Sequence, residues 1–291
     1  MTLKIKVDSL DLFAKVMNAA AAVLEDDGTF LVTQQDGLTL RNMDKSRFAM
    51  VDLKVEPSYF GGEFECDKDY LLTIQMQDLK KILQRARRDD SLTILLDETN
   101  QTLKFLFEGN VKKQFTLPLR MGEENVLPDP ASLELNAKAK LRGGALTEFI
   151  KDAAIIGGPQ PSIKITIDSG ILKFSSAQDK KEVSIQLSVG TEDSDALEIE
   201  SDGSCSALYS VDTFKNLVLV DQAFSAVSLA FSTDHPLKLF YDSGTGIKLG
   251  YLLAPMQPDA DMEEEEDSEV YADEDWDDSE EDDEDWDDDE E

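Results

Sequence analysis

The stretch SLDLFAKVMNAAAAVL, residues 9–24, carries a clear helical pattern in a chain that otherwise alternates like β-strands. Leu10, Phe13, Met17 and Ala20 recur at the spacing that puts them on one side of an α-helix. The pattern predicts a helix whose apolar side packs on a core. A related helical pattern occurs again later in the chain, and this repetition is the main evidence for the fold.

The chain contains two pairs of related helical stretches. Phe13-Ala14-Lys15 recurs as Phe149-Ile150-Lys151 within ALTEFIKDAAII, residues 145–156, a shift of 136 positions. QMQDLKKILQRARR, residues 75–88, matches SVDTFKNLVLV, residues 210–220, at a shift of 135. Two matches at nearly one period indicate a duplicated unit of about half the body.

The segments between these helices alternate apolar and polar residues with period two and are bounded by turn residues such as Asp and Gly. Predicted strands cover residues 2–7, 48–55, 91–98, 102–109, 162–168 and 237–242. Many short strands at this spacing predict antiparallel sheet, and with the four helices they predict an α+β fold. The join between the repeats lies in residues 117–135, whose prolines and acids favour an extended connector.

The charge is distributed unevenly. The formal net charge is -34, which taken whole argues against a nucleic-acid-binding protein. However, residues 259–291 hold 24 acids and no base, so the remainder holds 38 acids against 28 bases. A like-charged run cannot bury enough apolar surface to fold alone, so we predict a disordered acidic tail. The body is then only mildly acidic and can still bind nucleic acid.

The sequence contains no recognisable catalytic motif. Its one histidine, His235, precedes Pro236 in a turn-like segment, and no nucleophile motif or phosphate-binding glycine loop is present. We expect no enzymatic activity, no metal and no cofactor. Cys66 and Cys205 have no metal-site spacing and indicate reduced thiols. We see no secretory signal and no apolar run of about 20 residues, so we expect an intracellular protein that does not span a membrane.

Basic residues are concentrated on the predicted helices. The second helix carries five, and each of the others carries one: Lys80, Lys81, Arg85, Arg87 and Arg88, then Lys15, Lys151 and Lys215. For a single helix, a solvated face is the ordinary interpretation. If the repeated units arrange their helices around one axis, however, these charges converge on one surface that meets phosphates without reading bases.

Three segments together resemble the proliferating cell nuclear antigen family, the sliding clamps of archaeal and eukaryotic DNA replication. They are LTLRNMDKSRFAMVDLKV (38–55), LKKILQRA (79–86) and DHPLKLFYDSGTGIKLGYLLAP (234–255). The resemblance covers residues 1–256. It implies two similar clamp domains, 1–118 and 134–256, a connector over 119–133, and a tail over 257–291 outside the family pattern. It also implies a homotrimeric ring around duplex DNA, in archaeal cytoplasm or a eukaryotic nucleus.

The resemblance further implies two functional surfaces. DNA-facing residues would be Lys15, Lys80, Lys81, Arg85, Lys151 and Lys215. A pocket for short peptides of DNA polymerase, clamp loader, flap nuclease and ligase would be lined by Met43, Phe48, Val126, Leu127, Pro128, Pro236, Leu252, Leu253, Ala254 and Pro255. Two features depart from the family pattern and are expected to reshape this pocket. The ending is Gly250-Tyr251-Leu252-Leu253-Ala254-Pro255 where eukaryotic relatives have Tyr-Tyr-Leu-Ala-Pro, and Phe48 is bulkier than the aliphatic residue that the resemblance implies.

Two alternatives remain open on sequence grounds. The chain could be a subunit of a hetero-oligomeric or checkpoint-type clamp that forms rings only with paralogues. It could instead be a chaperone for basic proteins whose working part is the acidic tail.

Overall fold

The chain order of helices and strands is repeated almost without change in the two halves of the body. The computed structural model describes residues 3–87, 90–122, 127–158, 160–178, 180–190 and 194–257. Apart from Gln257, the predicted acidic tail therefore lies outside the described residues. No helix in the described part of the chain is long and apolar enough to cross a membrane.

The first half contains nine strands and two α-helices within the described residues. They are β1 Lys4–Val7, α1 Leu10–Leu24, β2 Asp27–Thr33, β3 Gly37–Met43, β4 Ala49–Val55, β5 Phe64–Glu65, β6 Tyr70–Gln75, α2 Met76–Leu83, β7 Ser91–Asp97, β8 Thr102–Glu108 and β9 Lys113–Pro118.

The second half has the same sequence of elements among its described residues. They are β10 Ala137–Arg142, α3 Ala145–Ile156, β11 Ser162–Asp168, β12 Ile171–Gln178, β13 Lys181–Ser188, β14 Ala196–Ser201, β15 Cys205–Ser210, α4 Val211–Leu217, β16 Ala226–Phe231, β17 Leu237–Asp242 and β18 Ile247–Leu253.

Strand pairing confirms the duplication predicted from the two helix matches. β1 lies between β5 and β7 in the same way as its counterpart β10 lies between β14 and β16, and all these pairings are antiparallel. Likewise β2 lies between β3 and β6, as β11 lies between β12 and β15. Each half is therefore one copy of the same α+β unit.

The two halves are joined by one strand pair. β18, the last strand of the second half, pairs antiparallel with β4 of the first half over seven residues. This pairing fuses five strands of one half with four of the other into a nine-stranded sheet, ordered β14-β10-β16-β17-β18-β4-β3-β2-β6. The two remaining sheets, β5-β1-β7-β8-β9 and β13-β12-β11-β15, end at β9 and β13.

The four helices form one continuous layer. α1 contacts both α2 and α4, and α4 contacts α3, so the helices follow one another as α2, α1, α4, α3. Phe13, Met17 and Ala20 of the predicted apolar stripe are buried, as are Phe149 of α3 and Phe214 of α4. Apolar periodicity thus correctly placed one side of each helix on the sheets.

Two predicted helices end earlier than the sequence pattern indicated. α2 ends at Leu83 because the backbone amides that follow donate to carbonyls only three residues earlier. The Arg85 amide donates to the Ile82 carbonyl, and the Ala86 amide donates to the Leu83 carbonyl. Arg85 and Arg87 therefore follow the helix, which corrects the prediction of five bases on it, and Arg88 lies outside the described residues. α4 similarly ends at Leu217.

Candidate DNA-facing and peptide-binding sites

Each of the four helices presents a lysine that is paired with an acid on the same helix. The acid lies in the first helical turn and the lysine three or four residues later. The pairs are Lys15–Asp11 at 2.7 Å, Lys81–Asp78 at 3.0 Å, Lys151–Glu148 at 2.8 Å and Lys215–Asp212 at 2.9 Å. All eight side chains are well exposed, and exposed pairs of this kind contribute only about 0.3–0.5 kcal/mol each.

Lys80 and Arg85 differ from these four lysines. Neither has an ion-pair partner among residues 3–257 where the structure describes them, and Arg85 is exposed while Lys80 is half-buried. The five lysines predicted to face DNA thus lie on the helix layer and Arg85 lies just beyond α2; of these six residues, only Lys80 and Arg85 have no ion-pair partner in the described chain.

The segment that carries Arg85 and Arg87 is held by a buried carboxylate. Asp90, 3% exposed, accepts hydrogen bonds from the Arg87 backbone amide at 3.1 Å and from Lys113 at 3.2 Å. Lys113 also donates to the Arg85 carbonyl at 2.8 Å. Burial by itself raises the pKa of Asp90, but the hydrogen bonds outweigh it and the pKa is lowered. Asp90 therefore remains charged and fixes this basic segment.

The predicted peptide pocket lies at the ends of paired strands. Met43, Met50 and Leu252 are opposite one another across β3, β4 and β18, so their side chains share one face of the nine-stranded sheet. Met43 is half-buried and Leu252 is 9% exposed. Leu253 points to the opposite face, with 1% exposure in the main core, so its side chain supports the strand and is not available to a ligand.

The other predicted pocket residues differ in exposure. Phe48 is 60% exposed, and its carbonyl accepts a hydrogen bond from the Ala254 amide at 2.8 Å. Leu127, Pro236, Ala254 and Pro255 are half-buried, and Pro128 is exposed. Val126 lies outside the described residues. The structure thus brings Phe48 to Ala254 and leaves its ring open to an incoming apolar side chain.

The anchoring of the connector had no visible signal in the sequence. Asp129 lies 3.7 Å from Arg41, which forms a two-pronged ion pair with Asp52 at 3.0–3.1 Å and has a raised pKa chiefly because of that hydrogen bonding. Lys238 donates to the Pro130 carbonyl at 3.0 Å. Because Arg41 belongs to the first half and Lys238 to the second, the connector is held to both.

A cleft of about 610 Å³ lies between this anchored turn and the sheet. Its lining includes the exposed apolar side chains of Leu31, Leu71 and Phe240. Gly250, directly opposite Phe240 in the strand pairing, has no side chain to fill the space. Gly250 therefore leaves room in the cleft beside the connector.

His235 and the two cysteines are held by contacts within the fold. His235 lies in a turn, with a ring nitrogen 2.7 Å from the Thr233 carbonyl, and its own carbonyl accepts from Tyr209. Cys66 and Cys205 are buried and form no disulfide with each other. The described residues contain no group of three His, Cys, Asp or Glu side chains that could hold a metal.

Comparisons with known proteins agree with this architecture. The family described as proliferating cell nuclear antigen, N-terminal domain, matches residues 2–125. A DNA polymerase sliding clamp of Thermococcus gammatolerans is 32% identical over 88% of this chain and 98% of its own length. One from Thermococcus fumicolans is 31% identical over 89% of this chain and its entire length.

Solved structures show the same fold. The PCNA2-PCNA3 complex from Sulfolobus tokodaii matches with a TM-score of 0.78 at 28% identity, covering 87% of this chain and 98% of that one. PCNA from Thermococcus kodakaraensis matches with a TM-score of 0.78 at 25% identity, covering 88% and 100%. The chain belongs to the proliferating cell nuclear antigen family of DNA sliding clamps.

Proposed function

We propose that this protein is a non-catalytic ring that encircles duplex DNA and tethers DNA polymerase to it as a processivity factor. The observation that carries the proposal is the continuous helix layer, in which each of the four helices carries an exposed lysine. Such a surface meets the phosphate backbone without reading bases. The site of action would be archaeal cytoplasm or a eukaryotic nucleus.

The internal junction suggests how several chains close a ring. Within the chain, β18 pairs with β4 and α4 contacts α1. The counterparts of β18 and β4 in the opposite repeats are β9 and β13, and both are edge strands in the described sheets. Pairing β13 of one chain with β9 of the next would repeat the internal junction between chains, head to tail.

Exposed apolar surface lies beside one of these free edges. Ile155 of α3 is 77% exposed, and α3 packs on β13. In the repeated junction α3 would meet α2 of the next chain, which would cover Ile155. We propose a homotrimer built in this way from clamp domains over 1–118 and 134–256, with the connector over 119–133 and the acidic tail over 257–291.

The pocket around Phe48, Met43 and Leu252 is our proposed docking site for partner enzymes. Short peptide motifs of polymerase, clamp loader, flap nuclease and ligase would insert aliphatic and aromatic side chains beside the connector. The connector's attachment to both halves would hold one wall of the site in place.

A hetero-oligomeric ring is the second candidate because one matching structure is itself a complex, of PCNA2 with PCNA3. Light scattering separates the two possibilities. A trimer of this chain alone supports the homotrimer, whereas a persistent monomer or dimer supports a ring completed by paralogues.

Retention on closed circular DNA tests the proposed function. After loading by a clamp loader, the protein should remain on closed circles and leave when one cut linearises them. The uncut circle is the matched control for the cut one. Equal escape from both substrates would show that the protein does not encircle DNA.

A further inference from the structure

The four helices carry no net charge. Their sequences contain five acidic and five basic residues, and the basic excess lies just beyond α2 at Arg85 and Arg87. A surface selected only for attraction to DNA would not pair a lysine with an acid one turn away on every helix. The pairing nevertheless occurs on all four helices, in both halves of the chain.

We propose that Asp11, Asp78, Glu148 and Asp212 weaken the attachment of the ring to DNA by occupying its DNA-facing lysines. The proposal rests on the proposed function and assigns these four acids a role in setting how tightly the ring holds the duplex. Each acid is a positioning residue that acts through its lysine.

The physical reason is competition between two anions for one ammonium group. A phosphate that approaches Lys15 must displace the Asp11 carboxylate, now 2.7 Å away, or share the three donors of the ammonium group with it. The carboxylate remains on the same helix face and repels the phosphate after it has been displaced. Each contact with DNA is therefore weak and quickly exchanged, and the favourable free energy from released counterions is reduced.

Weak contacts suit a ring because topology already prevents it from leaving closed DNA. Strong contacts with the backbone would raise the barrier to sliding without improving retention. The C-terminal half shows the effect most clearly, since α3 carries Glu148 and Asp152 against the single Lys151. The first half, with Lys80 and Arg85 unpaired in the described chain, would make the more persistent contacts.

A purely structural role for the acids is the competing explanation. Acids in the first turn of a helix interact favourably with the helix dipole, and acid–lysine pairs three or four residues apart stabilise the helix. That role predicts lower helix stability on removal of the acids and no change in DNA affinity. The proposal predicts a change in affinity and in its salt dependence, so the two explanations give different results.

The test is a variant with Asp11→Asn, Asp78→Asn, Glu148→Gln and Asp212→Asn. The matched control is Asp36→Asn, Glu56→Gln, Glu98→Gln and Glu198→Gln, which removes four acids that pair with lysines away from the helices. Binding to linear duplex is measured by fluorescence anisotropy between about 50 and 200 mM salt. Circular dichroism and light scattering show that each protein is folded and associated as the wild type.

We expect the helix variant to bind linear duplex at least about tenfold more tightly than the control at the low salt concentration. Its log–log salt slope should steepen by about 0.9 for each additional phosphate that the freed lysines neutralise, and its diffusion along DNA should slow. Equal tightening in both variants, or none in either, would overturn the proposal. If the four changes together disturb folding, Asp11→Asn with Asp212→Asn must still tighten binding and steepen the slope relative to Asp36→Asn with Glu56→Gln.

Wild-type retention on circular DNA separates failure of this inference from failure of the proposed function. If wild type escapes equally from cut and uncut circles, the ring itself is wrong. If it is retained but the helix variant binds like the control, only the role of the four acids is wrong.

Discussion

Asp221 offers a sharp test of how the helix layer is held in place. Its side chain is fully buried, and one carboxylate oxygen accepts from the Thr147 backbone amide at 3.1 Å and from the Thr147 hydroxyl at 3.4 Å. Thr147 lies in the first turn of α3, where Gly144 at the N-cap has no side chain to cap the helix. Asp221 therefore caps α3 from a distant part of the chain.

Asp221→Ala removes this cap and leaves the part-buried Thr147 amide without its acceptor, whereas the Thr147 hydroxyl still donates to the Val218 carbonyl at 3.2 Å. A donor left without its acceptor costs about 1–3 kcal/mol and loss of an N-cap about 1 kcal/mol, so we expect a loss of about 2–3 kcal/mol. For a body of this size the melting temperature should fall by about 5–10 °C. Urea unfolding followed by circular dichroism measures the loss directly.

Asp221→Asn is the matched control because it keeps an oxygen acceptor and removes the charge. Burial raises the pKa of Asp221 despite the opposing hydrogen bonds from Thr147. The folded state then binds this proton more tightly than the unfolded chain, so ionisation destabilises the fold. As pH rises from about 4 through the folded pKa, wild type should lose stability relative to the asparagine variant.

Two results would refute this reasoning. One is a loss below about 0.5 kcal/mol in Asp221→Ala, well under the free energy of a typical buried hydrogen bond. The other is a stability difference between wild type and Asp221→Asn that does not change between acid and neutral pH.

Three further predictions concern association, the pocket and the tail. Ile155→Asp should weaken self-association at least about tenfold in light scattering, whereas Leu219→Asp, also exposed but beside α4, should not; equal effects would contradict the proposed junction. Phe48→Ala should weaken binding of an aliphatic–aromatic peptide about tenfold or more by anisotropy, with Ile171→Ala, an exposed apolar residue of β12 outside the cleft, as control; unchanged affinity would place the pocket elsewhere. Deleting residues 259–291 removes both tryptophans and should leave retention on circular DNA unchanged; loss of retention would favour the tail as the working part.

The fold was largely predictable because its signals are local and periodic. Apolar spacing located all four helices, and alternation located six of the eighteen strands in the described residues. The end of α2 was missed because Arg85, Arg87 and Arg88 are compatible with a helix, and what stops it is the turn after Leu83. No local sequence pattern distinguishes a helix that continues through these arginines from one that ends in a turn after Leu83.

The candidate sites were predictable only in part. The sequence was enough to place four lysines on the predicted helices: Lys15, Lys81, Lys151 and Lys215. The acid three or four residues before each lysine is also visible in the sequence. The structure was needed to show that the four pairs belong to one layer of helices. The anchoring of Pro130 by Lys238 joins residues 108 positions apart, and the capping of Thr147 by Asp221 joins residues 74 apart. Such contacts depend on the packed fold and leave no short-range pattern.

The pairing of β4 with β18 has a consequence for the way the chain folds during synthesis. β4 leaves the ribosome early, but its partner strand is made much later, as the Glu56–Lys248 contact across 192 positions shows. Until then β4 is an open strand edge, and pairing over so long a separation is slow. The nascent first half therefore needs protection from wrong strand pairing until nearly the whole body has been translated.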